Sequence, residues 1–182
     1  MISIIGNGSS NKNYVSHCEY VFACNIPQHG HAYNSLSIID NQPINWMKNH
    51  AWRPSVPVFC TPSVKEYARK KCIEGDFMPV YVPRERYNAG LHCARHCAKL
   101  TSELHLWGFD SLWSKDLTSD MDLLVPRHSR PSLNKWWHPH WQAVFEDHPH
   151  TRFVVHLPDN QQLDVKNNNV IADYFKEVTK YS

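Results

Sequence analysis

Short, continuous apolar runs recur along this chain, and they limit its fold more than any other feature. They lie at Ile2–Ile5, Tyr20–Cys24, Leu36–Ile39, Val56–Cys60, Val80–Val82, Leu104–Trp107 and Phe153–Leu157. Strands that are apolar without alternation are those buried on both faces, as in parallel sheets covered by helices. Helical patterns lie between or after them, near Trp46 and at Ser63–Lys71, Ala89–Leu100, Pro139–Asp147 and Val170–Val178. In the last of these, Val170, Ile171, Tyr174, Phe175 and Val178 form one apolar stripe behind an Asn-rich cap. The alternation predicts an α/β protein: a Rossmann-like three-layer sandwich with a mainly parallel sheet. A length of 182 residues suits a single domain spanning 1–182.

Composition excludes little. A formal charge of +2 makes no case for a dedicated nucleic-acid binder, though it leaves room for local basic patches. No apolar run approaches the roughly 20 residues of a membrane span, and no charged-then-apolar leader is visible, so a cytoplasmic location is expected. The six cysteines form no CxxC pair and read as free, mostly buried thiols.

In an open parallel sheet, ligands sit beyond the carboxyl ends of the strands, where strand order reverses. Gly6-Asn7-Gly8-Ser9-Ser10 follows the first apolar run directly. A glycine turn there lets backbone N–H groups approach an anion, while Asn7 and Ser9 add polar side chains. The same residues also fit a tight turn with an Asx cap. Cys24-Asn25 ends the second run and brings another amide to the same edge, or else a turn residue before Pro27. Two amides suit a nucleobase or ribose, which need mixed donors and acceptors.

Strand-G-N-G-S-S, then C-N, then R-Y-N-A-G opening a helix that leads to L-H-L-W-G-F-D-S, together resemble the bacterial sialyltransferases of glycosyltransferase family 42. They also resemble the wider sialyltransferase-like group that includes flagellin-modification accessory proteins and pterin diphosphokinases. Small bacteriophage-encoded glycosyltransferase-type proteins are similar over W-G-F-D-S-L-W-S-K-D-L-T-S-D-M-D. The resemblance implies a nucleotide-sugar as co-substrate, with no tightly bound cofactor. It assigns donor contacts to Asn7, Gly8, Ser9, Asn25, Arg86, Asn88 and Gly90, with Arg86 facing the charged part of the donor. It implies an acceptor such as a modified phage DNA base or a glycan, and host cytoplasm if the protein is phage-encoded. Two departures stand out: Leu112 and Trp113 replace the family's tyrosines, and His128, His138 and His140 all lie where its catalytic histidine belongs.

The irregular stretch from Asp110 onward carries the residue types that glycosyl transfer needs. A base must activate the acceptor hydroxyl, and cations must stabilise the departing phosphate. The expected catalytic residues are Asp110, which follows a buried strand and also fits a turn cap, and His128, with Arg127 and Arg130 as cations. Trp113, Trp136 and His138 are the expected acceptor contacts, because Trp137, Trp141, Val144 and Phe145 recur at helical spacing and belong to a packed stripe. His92 and His96 lie four apart, as zinc ligands often do, but share a helix face with Arg95 and Lys99, which discourages a dication. No metal site is expected; a divalent ion at Asp116, Asp120 and Asp122 is compatible with the sequence and not required by the resemblance. Diphosphoryl transfer from ATP to a small heterocycle, and a non-catalytic nucleotide-binding module, are the alternatives.

Overall fold

The computed structural model describes residues 1–27, 29–81, 88–114 and 133–176, with the backbone alone for 133–136. Eight strands form one sheet: β1 (Ile2–Ile5), β2 (Tyr20–Cys24), β3 (Ser35–Ile38), β4 (Val58–Cys60), β5 (Phe77–Pro79), β6 (Glu103–Trp107), β7 (Arg152–Pro158) and β8 (Val170–Phe175). Their order is β5-β4-β3-β2-β1-β6-β7-β8, and every pairing is parallel. The described residues form four α-helices: α1 (Asn41–Asn49), α2 (Pro62–Lys70), α3 (Ala89–Cys97) and α4 (Leu133–Asp147). The protein is thus a Rossmann-like three-layer sandwich, and its strand order reverses between β1 and β6.

Crossovers between parallel strands are right-handed, so the direction of travel decides which face each helix covers. From β3 to β5 the chain moves one way and lays α1 and α2 on one face. There Ile44, Met47, Val64 and Ala68 close a core over Val21, Leu36, Ile38 and Val58. The chain then returns past β1 and lays α3 and α4 on the other face, over Ile4, Phe22, Leu104, Leu106, Phe153 and Val155. Trp141, Val144 and Phe145 are fully buried in that second core, as their spacing predicts. Helix starts follow local chemistry. Thr61 caps α2 ahead of Pro62, and Asn88 caps α3 by accepting the Leu91 N–H at 2.8 Å.

The tail of the chain differs from expectation. Val170–Phe175 is a strand, not a helix, and pairs with β7 from Phe153↔Val170 to Pro158↔Phe175. Its apolar positions satisfy both periods, and the backbone partners offered by β7 select the extended one. The fifth strand also lies earlier than Val80–Val82, at Phe77–Pro79.

Among the described residues, no helix covers one part of the sheet. On the α1/α2 face, the half formed by β1, β6, β7 and β8 carries Ser3, His105, Trp107, Val154 and His156, alternating with the buried leucines and valines of the opposite face. Among the described residues, what lies over the histidines is the β1–β2 connection, through His17 and Cys18. No helix of the described residues is long and apolar enough to cross a membrane.

Candidate functional site at the strand-order reversal

The two loops that meet at the reversal are G-N-G-S-S after β1 and G-F-D after β6. They are joined backbone to backbone: Gly6 N–H donates to Trp107 O at 2.7 Å, and Gly8 N–H to Gly108 O at 2.8 Å. The glycines are needed for this approach. A Cβ on Gly6 would lie 2.5 Å from Gly108 O, and Gly108 itself sits at φ +71 against Asn11 Cβ. The expected role of Gly8 as an anion-binding N–H is therefore corrected, because that donor serves the neighbouring loop.

Asp110 closes the same junction. Its carboxylate accepts from Ser9 Oγ at 3.2 Å, from Ser10 N–H at 3.1 Å and from Ser10 Oγ. It is buried, and a Cβ on Gly8 would lie 2.5 Å from its Cγ. With both oxygens engaged, the residue caps a turn and clasps two loops; of its two expected roles, this is the one its contacts display.

The chain matches no family model, no curated protein and no solved structure. Function must accordingly be read from the site itself.

The remaining donor-site residues gather nearby. Asn7 and Asn25 each stand two residues beyond the paired Ile5 and Ala23 of neighbouring strands. Asn25 adopts φ +56, donates its backbone N–H to Ser37 O at 2.9 Å, and buries its Oδ1 without a partner among the described residues. The start of α3 reaches this edge from the helical layer, where Ser37 Oγ donates to Ala89 O at 3.2 Å. First-turn N–H groups have no helical acceptor, so the start of α3 carries partial positive charge. Gly90 is a packing position: a Cβ there would lie 2.4 Å from Phe109 Cε1.

Other expected residues fall elsewhere. Trp113 is buried within the α3/α4 core and so is not a stacking platform, a correction that follows from the close fit of the post-β6 turn. His138 lies on α4 with its imidazole bonded to Ser111 O at 2.7 Å. Arg86, Arg127, His128 and Arg130 lie outside the described residues, as do Asp116, Asp120, Asp122 and the side chain of Trp136. His92 is buried rather than on a polar surface; Ser37 Oγ meets its Nδ1 at 3.1 Å, and burial lowers its pKa to about 4. All six cysteines are free; the hydrogen bond to Cys93, with burial, raises the pKa of Cys24, and burial raises that of Cys93.

A second cluster was not anticipated. On the half-face beneath the β1–β2 connection, His105 Nδ1 lies 2.9 Å from His17 Nε2 and 2.9 Å from His156 Nε2. The Trp107 ring stacks on His156 with centroids 3.7 Å apart. Burial lowers the pKa of His105, and burial reinforced by its two histidine neighbours lowers that of His156 to about 3. Imidazoles inside L-H-L-W and F-V-V-H-L were the available sequence signal, since a strand buried on both faces has no ordinary use for them.

Proposed function

We propose that this protein is a transferase of the glycosyltransferase type. Its nucleotide-activated donor lies at the carboxyl edge of the sheet, against the ends of β1 and β2 and the start of α3. The observation that carries this reading is the buried Oδ1 of Asn25 at the end of β2, which has no partner among the described residues. Leaving such an acceptor unmade costs about 1–3 kcal/mol, and an amine or hydroxyl of a nucleoside removes that cost. Asn7 offers a second amide, and the start of α3 offers a positive end for phosphate. The reading gives charge stabilisation to Arg86, Arg127 and Arg130 and the base to His128. It leaves Asp110 its clasping role. Trp136 remains the acceptor contact, and the acceptor is a phage DNA base or a glycan, with action on DNA placing the protein in the host cytoplasm.

Calorimetric titration of the whole chain with CMP-, UDP- and GDP-sugars, and with ATP plus magnesium, tests it. One sugar nucleotide should bind, and Asn25→Gly should weaken it roughly 10-fold, the equivalent of about 1.4 kcal/mol. Glycine accepts the left-handed backbone at position 25, so the fold should be retained. Binding of ATP alone would favour diphosphoryl transfer, and binding of a sugar nucleotide without turnover would favour a non-catalytic module. No nucleotide binding at all would remove the reading.

A further inference from the structure

We propose that His17, His105 and His156, together with Cys18, form a site for one divalent transition-metal ion of the zinc type. The case rests on where each ring must keep its proton. The second ring nitrogen of every one of these histidines already faces an acceptor. His17 Nδ1 lies 2.9 Å from Val15 O, His105 Nε2 lies 3.1 Å from Glu103 Oε1, and His156 Nδ1 lies 2.9 Å from Asp173 Oδ2. A carbonyl and two carboxylates only accept, so the proton of each neutral ring belongs on that outer nitrogen. The inner nitrogens, His17 Nε2, His105 Nδ1 and His156 Nε2, are then bare lone pairs.

These lone pairs converge. His105 Nδ1 stands 2.9 Å from each of the other two, yet a ring nitrogen has a single in-plane lone pair or a single hydrogen and cannot serve two such neighbours. A shared proton would bridge two nitrogens and leave the third opposed. A cation at the centre satisfies all three. With Zn–N bonds of about 2.0–2.1 Å, a tetrahedral site separates its nitrogens by about 3.3 Å, slightly more than the 2.9 Å that separates His105 Nδ1 from each of its two neighbours. Outer hydrogen bonds from metal-bound imidazoles to carboxylates or backbone carbonyls are the usual means of fixing ligand tautomers, and here all three rings have one.

Cys18 supplies the fourth donor. Its thiol sulfur and a ring nitrogen from each of His17 and His105 lie within 4.8 Å of one another. Imidazole and thiolate together favour zinc or cobalt over magnesium or calcium. His156 stands outside that group and joins it through His105, so closing the site with four protein ligands requires its ring to swing toward Cys18 when the ion binds. The site would fasten the β1–β2 connection to β6 and β7 on the half-face that no helix of the described residues covers. The donor site proposed above uses the start of α3, which packs on the opposite face, so either idea can fail without the other.

The whole chain, freed of metal by chelation, should be titrated with cobalt(II). Visible bands of tetrahedral cobalt should saturate at one ion per chain, with a sulfur-to-cobalt charge-transfer band in the near ultraviolet. Zinc should displace the cobalt and raise the melting temperature. Asp173→Asn, which changes only an outer acceptor, should weaken binding by about 10–100-fold. His17→Ala should weaken it further, and because His17 is exposed the variant should still fold. Cys18→Ser should remove the charge-transfer band. Absence of cobalt bands and of a zinc-induced melting shift in the unaltered protein overturns the proposal, as does unchanged affinity in His17→Ala. Cobalt bands lacking the sulfur feature overturn the place given to Cys18.

Discussion

Asp110 takes the Ser10 backbone N–H into its carboxylate at 3.1 Å, and through that contact the loop after β6 holds the loop after β1. Ser9 Oγ and Ser10 Oγ add to the same acceptor. Asp110→Ala strands the two buried Ser10 donors, and about 2–3 kcal/mol of stability should be lost. Urea unfolding measures this. A variant that binds nucleotide normally yet melts with the parent would show that the clasp contributes nothing.

Close packing at the same junction makes its glycines intolerant. Gly8→Ala places a methyl against Asp110, and Gly90→Ala places one against Phe109. Each should cost about 1–3 kcal/mol, the usual range for overpacking. Thermal melts of the two single variants should both fall below the parent.

Stability should also decline in mild acid through His92. Its folded pKa, about 4, lies below the usual 6.5, so the unfolded chain binds the proton more readily. The neutral ring's contribution is complete above about pH 6.5 and is lost as pH falls toward 4, amounting to roughly 2–4 kcal/mol across that window. His92→Gln should flatten this part of the stability–pH curve. A curve of unchanged slope would count against the buried neutral ring.

Asn169 should prove more important than its loop position suggests. Its amide lies 3.0 Å from Phe145 O, 2.9 Å from His148 O and 3.0 Å from Thr151 O, tying the end of α4 to the start of β7. Asn169→Ala should cost about 1–3 kcal/mol. Amide hydrogen exchange should speed up first around Asp147–Thr151 if the tie is local.

The central strands were legible in the sequence because a strand buried on both faces needs no alternation, and I-S-I-I, Y-V-F-A-C and F-V-V-H-L read as such. Val170–Phe175 misled because V-I-A-D-Y-F fits either a helical stripe or a half-exposed edge strand, and only the free edge of β7 decides between them. His92 misled for a related reason. Arg95 and Lys99 suggested a solvated helix face, whereas the first turns of α3 are buried on all sides and Ser37 of β3 receives the ring. At the candidate donor site, Asn7 and Asn25 were legible from their places at strand ends. The consumption of the Gly8 N–H by Gly108 was not, since it depends on β6 lying beside β1. The histidine cluster was hidden in the same way. His105 and His156 become neighbours through parallel register, and His17 arrives on a connection whose path no local pattern records.

β1 lies in the middle of the sheet, with Ile2 paired to Tyr20 on one flank and to Leu104 on the other. During synthesis the first flank can be satisfied early, while the second waits until β6 has left the ribosome. A nascent chain therefore carries a sticky apolar ribbon through most of its elongation, and its assembly should be slow and dependent on holding factors that shield that ribbon.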